Sequence, residues 1–205
     1  MMQDLVKKSR SFRRFQEERP IEEHTLVSLI ELARLIPSAH NMQPLKYVLS
    51  HTRERNELIF STLKWAVYLK DWPGPAEGEH PAGYVVILGD REISESVPWD
   101  YPIAAQTIAL GAAEIGLGAC ILASIDKKRL AETVKIPARY QIFLVVALGY
   151  PKETVVIDEM REGNFKYWRD DAGVHHVPKR NLKELILDLQ SGRPEASSAT
   201  EGRSL

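Results

Sequence analysis

Two clusters of polar side chains near the start of the chain have types and spacings suited to holding a ligand. Arg10, Ser11 and Arg13 set two guanidiniums and a hydroxyl close together. Guanidinium forks grip phosphate oxygens in pairs, so this set suits a phosphate monoester. A charge run such as Lys7 to Arg14 also reads as a solvated face. The second cluster is Pro37-Ser38-Ala39-His40-Asn41-Met42-Gln43-Pro44-Leu45. Pro37 cannot continue a helix, and Pro44 pushes Gln43 towards extended geometry. The Ser38 hydroxyl and the Asn41 and Gln43 amides can reach the carbonyl and ring-nitrogen edge of a flat heteroaromatic ligand. Taken alone, Ser-x-x-Asn reads as a loop satisfying its own backbone.

Other chemistries find little support. The sequence holds one cysteine, Cys120, in an apolar run, which excludes an internal disulfide and multi-cysteine metal sites and points to a buried thiol. His175-His176 is an adjacent pair whose rings point apart in extended chain, so it makes a poor metal site. No Ser-His-Asp or Cys-His set stands out. A net charge of -1 argues against general nucleic-acid or anionic-membrane binding. No run approaches the ~20 apolar residues of a membrane span. Met1 to Phe15 lacks an apolar signal-peptide core, which makes a cytoplasmic location the expectation.

These clusters need elements to position them. Asp4 to Lys8 reads as a short helix. Glu22 to Ile36 carries Leu26, Leu29, Ile30 and Ala33 at helical spacing. Lys46 to Ser50 reads as a strand, followed by a helix from an N-cap at Thr52 to about Tyr68, with Leu58, Ile59 and Leu63 inward. Lys70 to Pro81, with three prolines and Trp72, is a long loop, either a wall of a site or a segment packed down by Trp72 and His80. Tyr84 to Leu88 is a buried strand. The alanine-dense helix Ile103 to Ile115 ends on Gly116-Leu117-Gly118. Ala119 to Ile125 is a strand, Asp126 caps a helix to Val134, and Gln141 to Leu148 is apolar enough to be central in a sheet. Lys152 to Pro178 reads as polar and irregular. Asn181 opens a last helix to about Leu189, and 191–205 reads as a mobile polar tail beside a single domain, 1–190.

The fuller pattern Ala33-Arg34-x-x-Pro37-Ser38-x-x-Asn41-x-Gln43-Pro44, with Arg10-Ser11-Phe12-Arg13-Arg14-Phe15 upstream, resembles the nitroreductase family of flavin-dependent oxidoreductases. The resemblance runs from about Lys8 to Leu187. It implies an α+β (α/β/α layered) fold with a mixed, mainly antiparallel central sheet, and an intertwined homodimer whose subunits share FMN sites. The alanine-rich helix would then lie at the dimer centre, a tightly packed core helix being the alternative.

Carried over by position, Arg10 and Ser11 fall on the FMN phosphate or ribityl chain. Arg13 falls near the flavin pyrimidine, where its charge favours the reduced cofactor. Phe12 belongs to the same cofactor segment, although it and Phe15 should anchor it in apolar packing. Pro37, Ser38, Ala39, Asn41 and Gln43 reach the flavin held mainly by the partner. Ile121, Leu122, Ala123 and Ser124 pass flavin N5 with backbone N–H groups. Lys179 and Arg180 close on the phosphate. Ser9 stands where many members have Arg, Leu45 where a larger residue is common, and Ala123-Ser124 where Glu-Gly is common.

The implied reaction is ping-pong, with hydride passing from NADH or NADPH through flavin N5 to a small electron-poor acceptor such as a nitroaromatic or quinone. The alternatives are a reductive dehalogenase or flavin-consuming enzyme of the same superfamily, a non-catalytic FMN carrier, or an α/β protein binding some other phosphate.

Overall fold

A computed structural model describes residues 1–96 and 99–187. The expected tail, 191–205, and the end of the expected last helix, 188–189, lie outside the described residues. Strands β1 (Leu45–Ser50), β2 (Gly83–Asp90), β3 (Gly118–Leu122) and β4 (Tyr140–Gly149) pair antiparallel in the order β1-β2-β4-β3. The two longest apolar runs thus occupy the two inner positions. β2 is buried along its whole length, as a strand covered on both faces must be.

Helices α1 (Met2–Lys8), α2 (Glu23–Arg34), α3 (Arg53–Phe60), α4 (Asp100–Glu114) and α5 (Lys127–Val134) surround the sheet. Alternation along β2 separates two cores. Val85 and Ile87 pack with Leu26, Leu29 and Ile108 of α2 and α4, while Tyr84, Val86 and Leu88 pack with Ile59 and Leu130 of α3 and α5. A bulge opposite Ile87 and Leu88 skips Phe143 in the pairing. It lets Phe143 lean to the α4 side, stacked on Tyr101 at 4.5 Å between ring centres. The layered α+β reading therefore holds.

The small residues of α4 serve packing inside this chain. Ala104, Ala105, Ala109 and Ala112 are buried, and a methyl at Gly111 would lie 2.5 Å from Leu32 of α2. Gly116 takes a positive φ and closes α4 in a Schellman turn, Leu117 N–H donating to Ala112 C=O at 2.8 Å. Asp126 caps α5 through Arg129 N–H.

Several sequence expectations need correction. α3 ends at Phe60 rather than near Tyr68, because the chain turns to pair Leu63 with Ile125 beyond β3, and Leu58 faces outward. Thr52 occupies the N-cap without a side-chain cap bond. The stretch read as irregular holds a second sheet, β5 (Val155–Glu159), β6 (Trp168–Arg169) and β7 (His175–Lys179), ordered β5-β7-β6. Its strands are short and polar, so no apolar alternation announced them. A four-residue helix, α6 (Leu182–Leu185), follows, capped by the Asn181 side chain; it stops short of the expected end near Leu189, because Ile186 is already extended.

Candidate functional site

The arm from Arg10 to Phe15 runs along the outer edge of β3. Ser11 bridges Ala119 in parallel, and Phe12 N–H donates to Ala119 C=O at 3.0 Å. Glycines make room for it: a Cβ at Gly118 would come 2.7 Å from the Phe12 ring, and one at Gly149 would come 2.8 Å from the Phe15 ring. With both rings turned into the sheet, Arg10, Ser11 and Arg13 are left for other partners, in keeping with the expected anchoring role of the two phenylalanines.

Neither guanidinium meets a carboxylate among the described residues. Arg10 donates to Val6 C=O at 2.6 Å, while its Nε is buried without a partner and burial lowers its pKa. Arg13 donates to Ser11 C=O at 3.2 Å and to His175 Nε2 at 3.0 Å, and lies 4.5 Å over the Tyr167 ring. Two cations on one short arm, neither paired with a carboxylate among the described residues, are donors suited to an anion.

What holds the arm comes from the segment leading into the second sheet and from that sheet, and was not legible beforehand. The Glu153 carboxylate, fully buried, accepts from Arg13 N–H, from Arg14 N–H at 3.2 Å and from the Arg169 guanidinium at 2.8 Å. An arginine only donates, so His175 Nε2 must accept from Arg13 and the proton sits on Nδ1. That Nδ1 is buried and unpartnered. Burial, with Arg13, Arg169 and His176 nearby, pushes the His175 pKa down from 6.5 to about 4. His176 does point the opposite way, to Asp158 at 2.7 Å and Asp170 at 3.3 Å. Burial opposes its charge, but the carboxylates prevail and raise its pKa.

A pH dependence follows. Between pH 6.5 and about 4 the unfolded chain protonates His175 and the folded one does not, so stability falls as pH drops through that window. His176 works in the other sense, losing its contribution as pH rises. Denaturant unfolding at pH 7 and pH 5 should show a smaller acid loss for His175→Gln than for the parent chain, and a larger one for His176→Gln. The reverse order would refute the tautomer assignment.

The second cluster docks on the N-terminus of α4. Ser38 hydroxyl donates to Asp100, Ala39 N–H donates to Asp100 Oδ1 at 3.2 Å, and Gln43 N–H donates to Ser38 Oγ at 2.9 Å. Asp100 is buried and was missed; the helix was expected to start three residues later. Gln43 is not extended as Pro44 suggested. It takes φ 51°, with His40 at 50° and Asn41 at 55°, because its N–H and its amide fold back on Ser38 and on Asn41 C=O. Pro37, Asn41 and Gln43 are left exposed, Ser38 and Ala39 partly so.

The four predicted segments are only partly assembled within one chain. Arg10–Arg13 lies beside Ala119, and Ile121 to Ser124 continue from there, with Leu122 buried and Ile121, Ala123 and Ser124 exposed. Pro37 to Gln43 leads into β1, the opposite edge, three strand spacings or about 14 Å away. Lys179 ends β7 beside Glu159, and Arg180 pairs with Glu184 at 3.3 Å, so no contact among the described residues brings them to the arm. Ser9, where many members have Arg, donates to Ala109 C=O at 3.3 Å. The 70–81 loop is packed down, His80 stacking on Phe60 at 3.9 Å and Trp72 lying 4.8 Å from Arg169. Cys120 is buried, its thiol pushed up to about 11.

Helices on both faces of an antiparallel sheet, with an arginine arm on its outer strand, make this the nitroreductase fold. The profile of the nitroreductase family matches residues 6–150, and the chain belongs to that family of oxidoreductases. It is 28% identical over 158 residues to a provisionally named NADH dehydrogenase/NAD(P)H nitroreductase of Methanothermobacter thermautotrophicus, covering 73% of this chain and 77% of that one. It is 25% identical over 170 residues to an iodotyrosine deiodinase of Thermotoga neapolitana, covering 75% and 90%. A provisionally named NADH oxidase of Clostridium acetobutylicum superposes with a TM-score of 0.60 at 26% identity, over 74% of this chain and 89% of that one. An FMN-dependent nitroreductase of Clostridium difficile R20291 shares the fold at 0.59 and 23% identity, over 73% and 87%. No helix among the described residues is long and apolar enough to cross a membrane.

Proposed function

We propose that this protein is an FMN-dependent oxidoreductase that uses NAD(P)H to reduce a small electron-poor acceptor, a nitroaromatic or quinone. Residues 1–190 act as one FMN-binding domain, and a homodimer completes each site. The observation that carries this reading is the arginine arm: two guanidiniums without carboxylate partners, one with a buried orphaned N–H, beside an exposed strand end.

When bound, FMN supplies two-electron chemistry between a nicotinamide and the acceptor. Arg10 and Ser11 hold the phosphate or ribityl end. Arg13, kept in place by His175 and Tyr167, sets a positive charge on the ring's pyrimidine side. The exposed backbone at Ala123 and Ser124 offers N–H donors to the ring. Pro37, Ser38, Ala39, Asn41 and Gln43, at the far sheet edge of their own chain, serve the site of a second copy. Lys179 and Arg180, at the end of β7, add positive charge.

Absorption of the purified protein, recorded anaerobically before and after NADH and then NADPH, tests the reading. A bound flavin that bleaches with either cofactor is the expected result. A flavin that stays oxidised would instead indicate a carrier. Arg10→Met should weaken FMN binding by about 10- to 100-fold, the worth of one charge-assisted hydrogen bond, without lowering thermal stability. Unchanged affinity in a flavin titration would remove Arg10 from the site.

The deiodinase relative favours a second reading, reductive dehalogenation on the same site. Halide release from a halophenol by the reduced protein, without nitroaromatic turnover, would select it.

A further inference from the structure

Arg13 differs from the arginines around it in what holds it. The Glu79 carboxylate holds Arg14, and the Glu153 carboxylate holds Arg169 at 2.8 Å, so each of those charges is offset by its own anchor. Among the described residues the Arg13 guanidinium meets uncharged groups only. They are Ser11 C=O at 3.2 Å, His175 Nε2 at 3.0 Å and the face of the Tyr167 ring at 4.5 Å. Glu153 reaches Arg13 through the backbone N–H, and its other oxygen is taken by Arg169.

The His175 anchor is itself fixed. Its side chain is fully buried on β7, the middle strand of the second sheet. Its N–H donates to Thr154 C=O at 2.8 Å, and the Tyr167 ring lies 5.2 Å from its own. Arg13, Tyr167 and His175 thus close a triangle in which each touches the other two. The ring can serve only when neutral. Once protonated it would turn an N–H towards a group that only donates, with Arg169 and His176 as further positive neighbours.

We propose that His175 is a positioning residue that fixes the Arg13 guanidinium without neutralising it, so that the arm presents an uncompensated positive charge to its ligand. A carboxylate in the same place would hold Arg13 as firmly but cancel its charge. An apolar side chain would leave the charge and lose its direction. The identity of the ligand rests on the FMN reading above; the anchoring does not. Under that reading, the charge held by His175 favours the more negative, reduced cofactor, so His175 helps to set the flavin's reduction potential through Arg13.

Nitrogen NMR of the flavin-free full chain at pH 7 should show His175 as the neutral Nδ1–H tautomer, with its Nε2 signal moving on Arg13→Met. In the FMN-loaded chain, dye-equilibrated potentials should place His175→Gln, an uncharged acceptor of similar reach, at the parent value. His175→Glu and His175→Leu should each cut the preference for reduced over oxidised FMN at least about tenfold, or about 30 mV for two electrons. Combined with Arg13→Met, His175→Gln and His175→Leu should give one potential, because the ring acts through Arg13. A packing role alone would separate these variants in melting temperature and leave their potentials together. If His175→Glu does not fold, the Gln and Leu variants decide. A protonated or Nε2–H ring, equal potentials for Gln and Leu in a chain that binds FMN, or a difference that persists without Arg13 would overturn the proposal. A chain that binds no FMN would fail the flavin reading instead, and the NMR result would still decide how Arg13 is held.

Discussion

Glu153→Ala should lower the unfolding free energy by about 3–5 kcal/mol, the cost of stripping a buried cation of its partner. The carboxylate is fully buried, and its partner Arg169 is 16% exposed, so solvent screens the pair little. Two backbone N–H groups, of Arg13 and Arg14, lose the same acceptor, and each orphan adds to the penalty. The damage is not confined to stability. The arm is held between β3 and Glu153, so the variant should also bind FMN poorly even where it remains folded. Guanidinium unfolding curves with and without FMN measure both effects. A loss below about 1 kcal/mol would mean that the carboxylate's bonds are replaced by water and that the arm is seated by its phenylalanines alone.

Phe15→Ala should cost a comparable 3–5 kcal/mol, because the ring is completely buried and its removal leaves a cavity. The site cannot collapse easily. Phe15 is fixed on both sides of the ring, its backbone pairing with Pro151 and donating to Glu79 C=O at 3.0 Å while the ring lies on Gly149. For a chain of this size the melting temperature should drop by about 10 °C. Gly149→Ala tests the same contact from below: a methyl 2.8 Å from the ring must displace it, and overpacking of this kind costs about 1–3 kcal/mol. If Gly149→Ala melts like the parent, the ring is not confined as described.

The parts of this molecule that were legible in advance are those with local signatures. The stripe of Leu26, Leu29 and Ala33 announced α2, and the unbroken apolar run of β4 announced an inner strand. The arginine arm and the Pro37–Pro44 loop were recognisable because their polar residues are close together in sequence. Their supports were not. Asp100 lies 62 residues from Ser38, and Glu153 lies 140 residues from Arg13. Nothing in the spacing of either residue links it to its partner; only the folded chain brings a carboxylate to those donors. The second sheet was missed for a related reason. Its strands are short, and β7 carries His175, His176 and Lys179, so its polarity masked its pairing. Gln43 shows the limit of a local rule, since the bias imposed by Pro44 yielded to two hydrogen bonds within the loop.

The placement of the two polar clusters at opposite edges of one sheet has a genetic consequence. Under the proposed shared site, each pocket draws its arm from one polypeptide and its Ser38 loop from the other. Lesions in the arm and lesions in the loop then fall into separate complementation groups. Two alleles, each inactive alone, would rebuild one sound pocket whenever their products associate, while the sister pocket collects both defects. Random association would return about a quarter of the pockets to service, and two alleles damaged in the same cluster would return none.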